Sequence, residues 1–173
     1  MIFLSLAMNK NKHWFALYTK PRSEFRAAEQ LQRSGMQFYL PVVNKIKQWS
    51  DRKKKIREPL LRGYIFIFAD EAERLMALEQ QAVVRCIFDN GKPAVIPDCQ
   101  IENLKKFLEY NTEFFVKDGI VPGKQVIIKS GPFKGITGTI KEFNNKRTLV
   151  ISINLLKRSV MAHLPDSSIV EVL

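Results

Sequence analysis

Val126-Ile127-Ile128-Lys129-Ser130-Gly131-Pro132-Phe133-Lys134-Gly135-Ile136-Thr137-Gly138-Thr139-Ile140 reads as an apolar strand, a turn punctuated by glycines, and a second strand. Gly131, Gly135 and Gly138 fall where a small barrel needs positive φ, a tight turn or a close backbone approach. Phe133, between the first two, is placed to plug the end of such a barrel. Downstream, 136–143, 147–154 and 159–164 run apolar or alternate at strand length, with Asn144-Asn145-Lys146 as a hairpin turn. The expectation is a five-stranded β-barrel over 122–173, which closes its own edges.

Upstream the periodicity changes. Residues 14–19 read as a strand, and Pro21 suits the first turn of a helix whose Phe25, Ala28 and Leu31 repeat at helical spacing until Gly35. Residues 38–49 and 56–69 read as a long hairpin around Ser50-Asp51-Arg52-Lys53. A short helix follows over 70–79, with Leu75 and Leu78 as its apolar edge. Strands at 83–88 and 94–96 flank an Asp89-Asn90-Gly91 turn, and Ile101, Leu104, Lys105 and Leu108 mark a last helix. The order β-α-β-β-α-β-α implies an α+β domain, an open antiparallel sheet with helices on one face. Residues 111–121 hold no sustained period and end in Pro122-Gly123, which places a linker there and domains at 13–110 and 122–173.

At 173 residues and 46% hydrophobic content the chain supports packed cores, and its net charge of +11 with a pI near 9.8 points to a polyanionic partner. Cys86 and Cys99 lack a C-x-x-C or nearby histidine pattern and read as buried thiols in a reducing cytoplasm, with no metal site. His13 and His163 fall in different domains, and no G-x-S-x-G, P-loop or dinucleotide fingerprint occurs, so no catalytic residues and no cofactor are expected. The apolar run at 1–8 lacks a basic n-region and a cleavage site, and no segment is long enough to span a bilayer. Residues 1–12 read as a disordered extension, with Met8 an alternative start to Met1.

The 126–140 spacing is that of the KOW motif, which ribosomal proteins also carry. Three further segments narrow the reading. His13-Trp14-Phe15-Ala16-Leu17-Tyr18-Thr19-Lys20 resembles the first strand of the NusG N-terminal domain. Glu58-Pro59-Leu60-Leu61-Arg62-Gly63-Tyr64-Ile65-Phe66-Ile67 is similar to that family's P-L-F-P-G-Y-V-F-V segment, with Leu61 in place of an aromatic and Arg62 in place of proline. Gly91-Lys92-Pro93-Ala94-Val95-Ile96-Pro97 is similar to its G-x-P-x-P-I/V-P turn. The resemblance implies a non-enzymatic, monomeric, cytoplasmic bacterial factor for transcription elongation or antitermination. Residues 18–24 and 48–54 resemble the specialised RfaH-like and UpxY-like paralogues that antiterminate surface-polysaccharide operons. The alternative is a KOW-bearing, ribosome-associated RNA-binding protein.

By resemblance, Tyr18, Leu60, Leu61, Tyr64 and Phe66 correspond to the surface that takes the clamp helices of the RNA polymerase largest subunit. Leu61, just before its strand, is the favoured contact; Phe66 shares strand parity with Tyr64 and fits the core at least as well. Lys53, Lys54 and Lys55, with Lys45, Lys47, Arg52 and Arg57 around Trp49, form a cationic hairpin suited to phosphate, its indole either stacked on a base or built into the core. Lys20, Arg22, Arg26 and Gln30 mark a helix face that resembles the one touching non-template DNA in the specialised paralogues; nascent RNA is the other nucleic-acid candidate. Asn154-Leu155-Leu156-Lys157-Arg158 resembles the family's S-I-F-G-R loop, which meets a small-subunit ribosomal protein or Rho. Leu155, Leu156 and Arg158 are its candidate contacts, at least one leucine pointing outward, and the replaced phenylalanine and glycine argue against Rho.

Overall fold

The chain is described here by a computed structural model covering residues 12–49, 51–110, 112–119 and 121–173. The expectation for 1–11, including the choice of start, lies outside the described residues. Contacts divide the chain into two compact units, one ending at Asp98 and one beginning at Cys99.

The first unit runs β1 (His13–Thr19), α1 (Glu24–Arg33), β2 (Gln37–Tyr39), β3 (Val42–Gln48), β4 (Lys53–Pro59), β5 (Tyr64–Ala69), α2 (Glu71–Leu78), β6 (Val83–Cys86), β7 (Phe88–Asp89), β8 (Lys92–Pro93) and β9 (Val95–Ile96). Its main sheet has the order β2-β5-β1-β6, with β9 also on β1, and every pairing is antiparallel. Opposed residues share a face, so the Phe15/Ile67 and Leu17/Ile65 pairs meet one cluster with Ala27 and Leu31 of α1 and Ala77 of α2. The Ala16/Phe66 pair faces the other way and is also fully buried. The expected 38–69 hairpin is broken at both bases. Leu40 and Pro41 separate β2 from β3, and residues 60–63 separate β4 from β5. The pair β3–β4 therefore leaves the sheet as a two-stranded arm of its own.

Three helical expectations shift. Pro21 lies in a turn rather than in α1, because Arg22 adopts φ 57° and Ser23 N–H closes back on the Lys20 carbonyl at 3.1 Å. The buried stripe of α1 is Glu24, Ala27 and Leu31, which leaves Phe25 40% exposed beneath the Arg57 guanidinium. In α2 the inward positions are Arg74 and Ala77, so Leu75 is exposed and Leu78 half-buried. Asp70 caps α2 reciprocally with Glu73.

The second unit holds α3 (Asp98–Leu108, from its second residue), β10 (Phe114–Asp118), β11 (Gln125–Ile128), β12 (Thr137–Phe143), β13 (Lys146–Ile153), a 3₁₀ turn (Asn154–Leu156), β14 (Arg158–His163) and β15 (Val170–Val172). By contacts, helix α3 groups with this unit from Cys99 on, and here Phe133, 2% exposed, is flanked by the rings of Phe107 at 5.0 Å and Tyr110 at 4.9 Å. Residues 114–118, read as linker, form a strand on the outer edge of β14. The sheet is consequently six-stranded, in the order β10-β14-β13-β12-β11-β15. Among the described residues its outer strands do not pair, so this is a small open sheet domain rather than the closed five-stranded barrel expected. The glycine reading holds. Gly131 and Gly135 have φ of 96° and 83°, and a Cβ on Gly138 would lie 2.6 Å from the Val150 carbonyl oxygen.

Of the two cysteines, Cys86 is buried and Cys99 is exposed. Cys99 precedes the Ile101, Leu104 and Phe107 stripe of α3 by a spacing that turns it away from the buried face. Beside Cys86 lies Arg74, 4% exposed, whose guanidinium donates twice to the Glu71 carboxylate. Burial raises the Cys86 thiol pKa above its ordinary value, only partly offset by the Arg74 charge.

Candidate functional site

The segment from Pro59 to Tyr64 turns tightly. Leu60 N–H donates to the Pro41 carbonyl at 2.8 Å and Tyr64 N–H to the Leu61 carbonyl at 3.2 Å. Gly63 takes φ +82°, and a Cβ there would meet the Tyr18 ring at 3.0 Å. Its N–H donates to Glu24 Oε1 at 2.8 Å and its carbonyl accepts from Thr19 N–H at 2.9 Å. Glu24 is 5% exposed, and this carboxylate from α1 fixes the turn. Such fastening swings the leucines inward. Leu60 is 8% exposed, Leu61 2% and Phe66 0%, so these three candidate contacts are core residues and Leu61 is not a surface anchor. Tyr18 and Tyr64 remain half-buried, ring to ring at 5.6 Å, with the Arg85 guanidinium 5.8 Å from the Tyr18 centroid.

In the β3–β4 arm, Lys47 opposes Lys54, Lys45 opposes Ile56, Ile46 opposes Lys55 and Gln48 opposes Lys53. Because side chains alternate, the Lys53-Lys54-Lys55 run is split. Lys45, Lys47 and Lys54 share one face; Lys53, Lys55 and Arg57 share the other, with Ile46 65% exposed. Trp49 is 53% exposed, and Lys54 Nζ lies 5.9 Å from its ring centroid. Glu58, at the base, gathers the surrounding cations: Lys47 at 2.5 Å, Lys45 at 3.7 Å and Arg62 at 3.7 Å. Its pKa is held below the ordinary 4.5, first by the hydrogen bond from Lys47, against desolvation, and then by the charges of Lys47, Lys45 and Arg62.

On α1 and the turn before it, Lys20, Arg22 and Arg26 are exposed. Gln30 is not free to read bases through its carbonyl, which accepts the Ala82 N–H at 2.9 Å. Arg26 donates to the neighbouring Gln81 side chain. In the second unit, Leu155 is half-buried and Leu156 8% exposed, both in a 3₁₀ turn rather than a strand, so neither leucine is fully exposed. Lys157 takes the left-handed conformation, φ 49°, where the resemblance has glycine. Arg158 is not a free cationic rim: it is ion-paired with Asp118 of β10.

Glu24, Glu58 and Arg85 were absent from the sequence-derived candidates. Glu24 had a detectable signal, an acidic residue at helical spacing from Ala27 and Leu31 on the buried stripe; the partners of Glu58 and Arg85 depend on strand register.

The family described as transcription termination factor nusG matches residues 12–105, more than half of the 173 residues. This chain belongs to the NusG family. The KOW motif matches residues 122–153. Among solved structures, NusG of Thermotoga maritima, studied for its domain interaction, is 22% identical over 93% of this chain and 97% of that one, with a TM-score of 0.49. A chain of the MjSpt4:Spt5 complex is 16% identical over 92% of this chain and 97% of that one, with a TM-score of 0.32.

As a NusG-family, KOW-bearing protein, the chain is a regulator of transcription elongation and antitermination. Members of this family are transcription factors rather than enzymes. Among the described residues no helix is long and apolar enough to cross a membrane, and no group of three or more His, Cys, Asp or Glu side chains is placed to hold a metal ion.

Proposed function

We propose that this NusG-family factor acts as a non-enzymatic monomer in the bacterial cytoplasm, docking on the clamp helices of RNA polymerase through its first unit and recruiting a small-subunit ribosomal protein through its second. The observation that carries the docking is the Tyr18–Tyr64 pair beside Arg85, held by the Gly63 turn. Two partly open aromatic rings and a cation suit a helical coiled coil with apolar and acidic positions. The basic arm and the Lys20, Arg22, Arg26 surface then meet non-template DNA or nascent RNA. Binding across the polymerase favours its processive state by differential affinity. The likeness of residues 18–24 and 48–54 to the specialised paralogues supports action on particular operons, such as those for surface polysaccharide.

The test is binding to purified RNA polymerase by Tyr64→Ala and Arg85→Glu proteins, with thermal unfolding recorded alongside. Each folded variant binds at least about tenfold more weakly, as loss of an interface anchor does. Wild-type affinity in both rejects this surface. Leu61→Asp is unsuitable as an interface probe, because its buried carboxylate disrupts the fold first.

A further inference from the structure

Strand β10 is an edge strand of the second unit's sheet, as β15 is at the other end. It pairs only with β14, in the register Phe114↔Ala162, Phe115↔Met161, Val116↔Val160, Lys117↔Ser159 and Asp118↔Arg158. From Phe115 to Asp118 every side chain is exposed, the Asp118 side chain at 82%. The fully buried core of this sheet, including Val126, Ile128, Leu149, Ile151, Ile153 and Val160, takes no residue from β10. What holds the strand is main-chain pairing, the half-buried Phe114 against Phe107 at 5.1 Å, the surface contacts of Phe115 with the His163 ring at 5.7 Å and of Lys117 with the Phe143 ring at 5.6 Å, and a latch at its C-terminal end. The latch consists of the Asp118–Arg158 ion pair, Gly119 N–H donating to the Lys157 carbonyl at 2.6 Å, and Ser159 Oγ donating to the Gly119 carbonyl at 2.9 Å. It engages the same 154–158 loop that carries the candidate partner contacts.

We infer that the outer edge of β14 is a strand-acceptor site, occupied here by the protein's own β10, and that the partner recruited by the second unit supplies an extended segment that displaces it. An open sheet edge is a template for any chain that can reproduce its hydrogen bonds. The displaced strand defines the chemistry of its replacement: a polypeptide running antiparallel to β14, apolar opposite Ala162 and Val160, with a carboxylate opposite Arg158. Exchange keeps the main-chain bonds and the ion pair and leaves the core in place. Only the tether favours β10, through its high effective concentration. This inference deepens the recruitment reading and rests on it.

The probe is a fluorescein-labelled peptide with the sequence of residues 112–119, added to the full chain. In Asp118→Arg the latch is repulsive; the edge is released, and the peptide binds at least about tenfold more tightly than to wild type. Adding Arg158→Asp to Asp118→Arg restores the ion pair with reversed sign and returns binding to the wild-type level. Amide exchange shows β10 and the outer edge of β14 losing protection in Asp118→Arg while β11–β13 keep theirs, and peptide restoring it on β14. Equal peptide affinity in wild type and Asp118→Arg overturns the inference, as does loss of protection throughout β11–β13, which makes β10 part of the fold. Tight peptide binding by Asp118→Arg without capture of the small ribosomal subunit removes the recruitment reading and leaves the acceptor site standing.

Discussion

Two hairpins in this molecule are built on opposite plans. The pair β12–β13 turns on Asn144 and Asn145, both at positive φ (51° and 56°), the geometry that matches strand twist in a two-residue turn. It also has buried residues on both faces, Thr139, Thr148 and Val150 on one and Leu149 on the other. The pair β3–β4 has neither feature. Among the described residues of its turn none has positive φ, and from Asn44 to Trp49 every side chain is exposed. A two-stranded ribbon without a buried face is marginal by itself, and opposing Lys47 to Lys54 weakens it further. One hairpin is a folding element; the other is an arm whose side chains face solvent.

The largest test of that contrast is truncation of an aliphatic residue in each. Leu149→Ala, at 0% exposure, costs about 2–5 kcal/mol, whereas Ile46→Ala, at 65%, stays within about 0.5 kcal/mol. Urea unfolding of the two variants measures both. A cost above about 1 kcal/mol for Ile46 means that the arm is packed and the contrast fails.

The next effect concerns what the arm touches. If Trp49 stacks on a base, Trp49→Ala removes about 1–3 kcal/mol from binding to single-stranded nucleic acid. Neutralising Lys47 and Lys54, on the face beside the indole, lowers the salt slope by about 0.7 per lost contact for a single strand. Lys53→Gln with Lys55→Gln, on the other face, leaves the slope in place. Equal slopes from both pairs indicate a diffuse cation cloud rather than a faced arm.

What the sequence made legible divides along the same line as the hairpins. Gly131, Gly135 and Gly138 were readable because their constraint is local: a φ value or a missing Cβ is decided within the turn or by the neighbouring strand. The cationic run at 53–55 was readable as charge, but its division between two faces needed the register with 46–48. Leu61 and Phe25 exchanged places relative to expectation. Whether an apolar side chain is inside depends on what covers it, and here Glu24 and the Gly63 turn draw Leu61 inward while α1 turns Phe25 toward Arg57. Strand β10 was missed because Phe114–Asp118 is short, lacks alternation, and becomes a strand only by adding to β14.

Acid distinguishes the hairpins by a different route. The Glu58 pKa is lower folded than unfolded, so its contribution to the arm is complete above the ordinary value of 4.5 and is lost as pH falls through the lowered one. Amide exchange followed from about pH 6 to about pH 3 shows the base of β3–β4 losing protection while β12–β13, held by its buried residues, keeps it. Glu58→Gln removes the pH dependence. Loss that persists in that variant assigns the titration elsewhere.

The smallest effect lies in the turn that pins β12–β13. A β-branched residue at φ 56° brings Cβ against the following carbonyl, so Asn145→Val costs about 1–2 kcal/mol. Glycine carries no such clash, but asparagine already tolerates this region better than most residues, so the relief is slight. Against it stands the extra freedom glycine gives the unfolded chain, about 0.5–1 kcal/mol. The two terms nearly cancel, and Asn145→Gly shifts stability by no more than about 0.5 kcal/mol. Thermal unfolding of the two variants side by side reads the difference. A large gain from glycine means the left-handed turn is strained, and the β12–β13 register then owes more to its buried residues than to its turn.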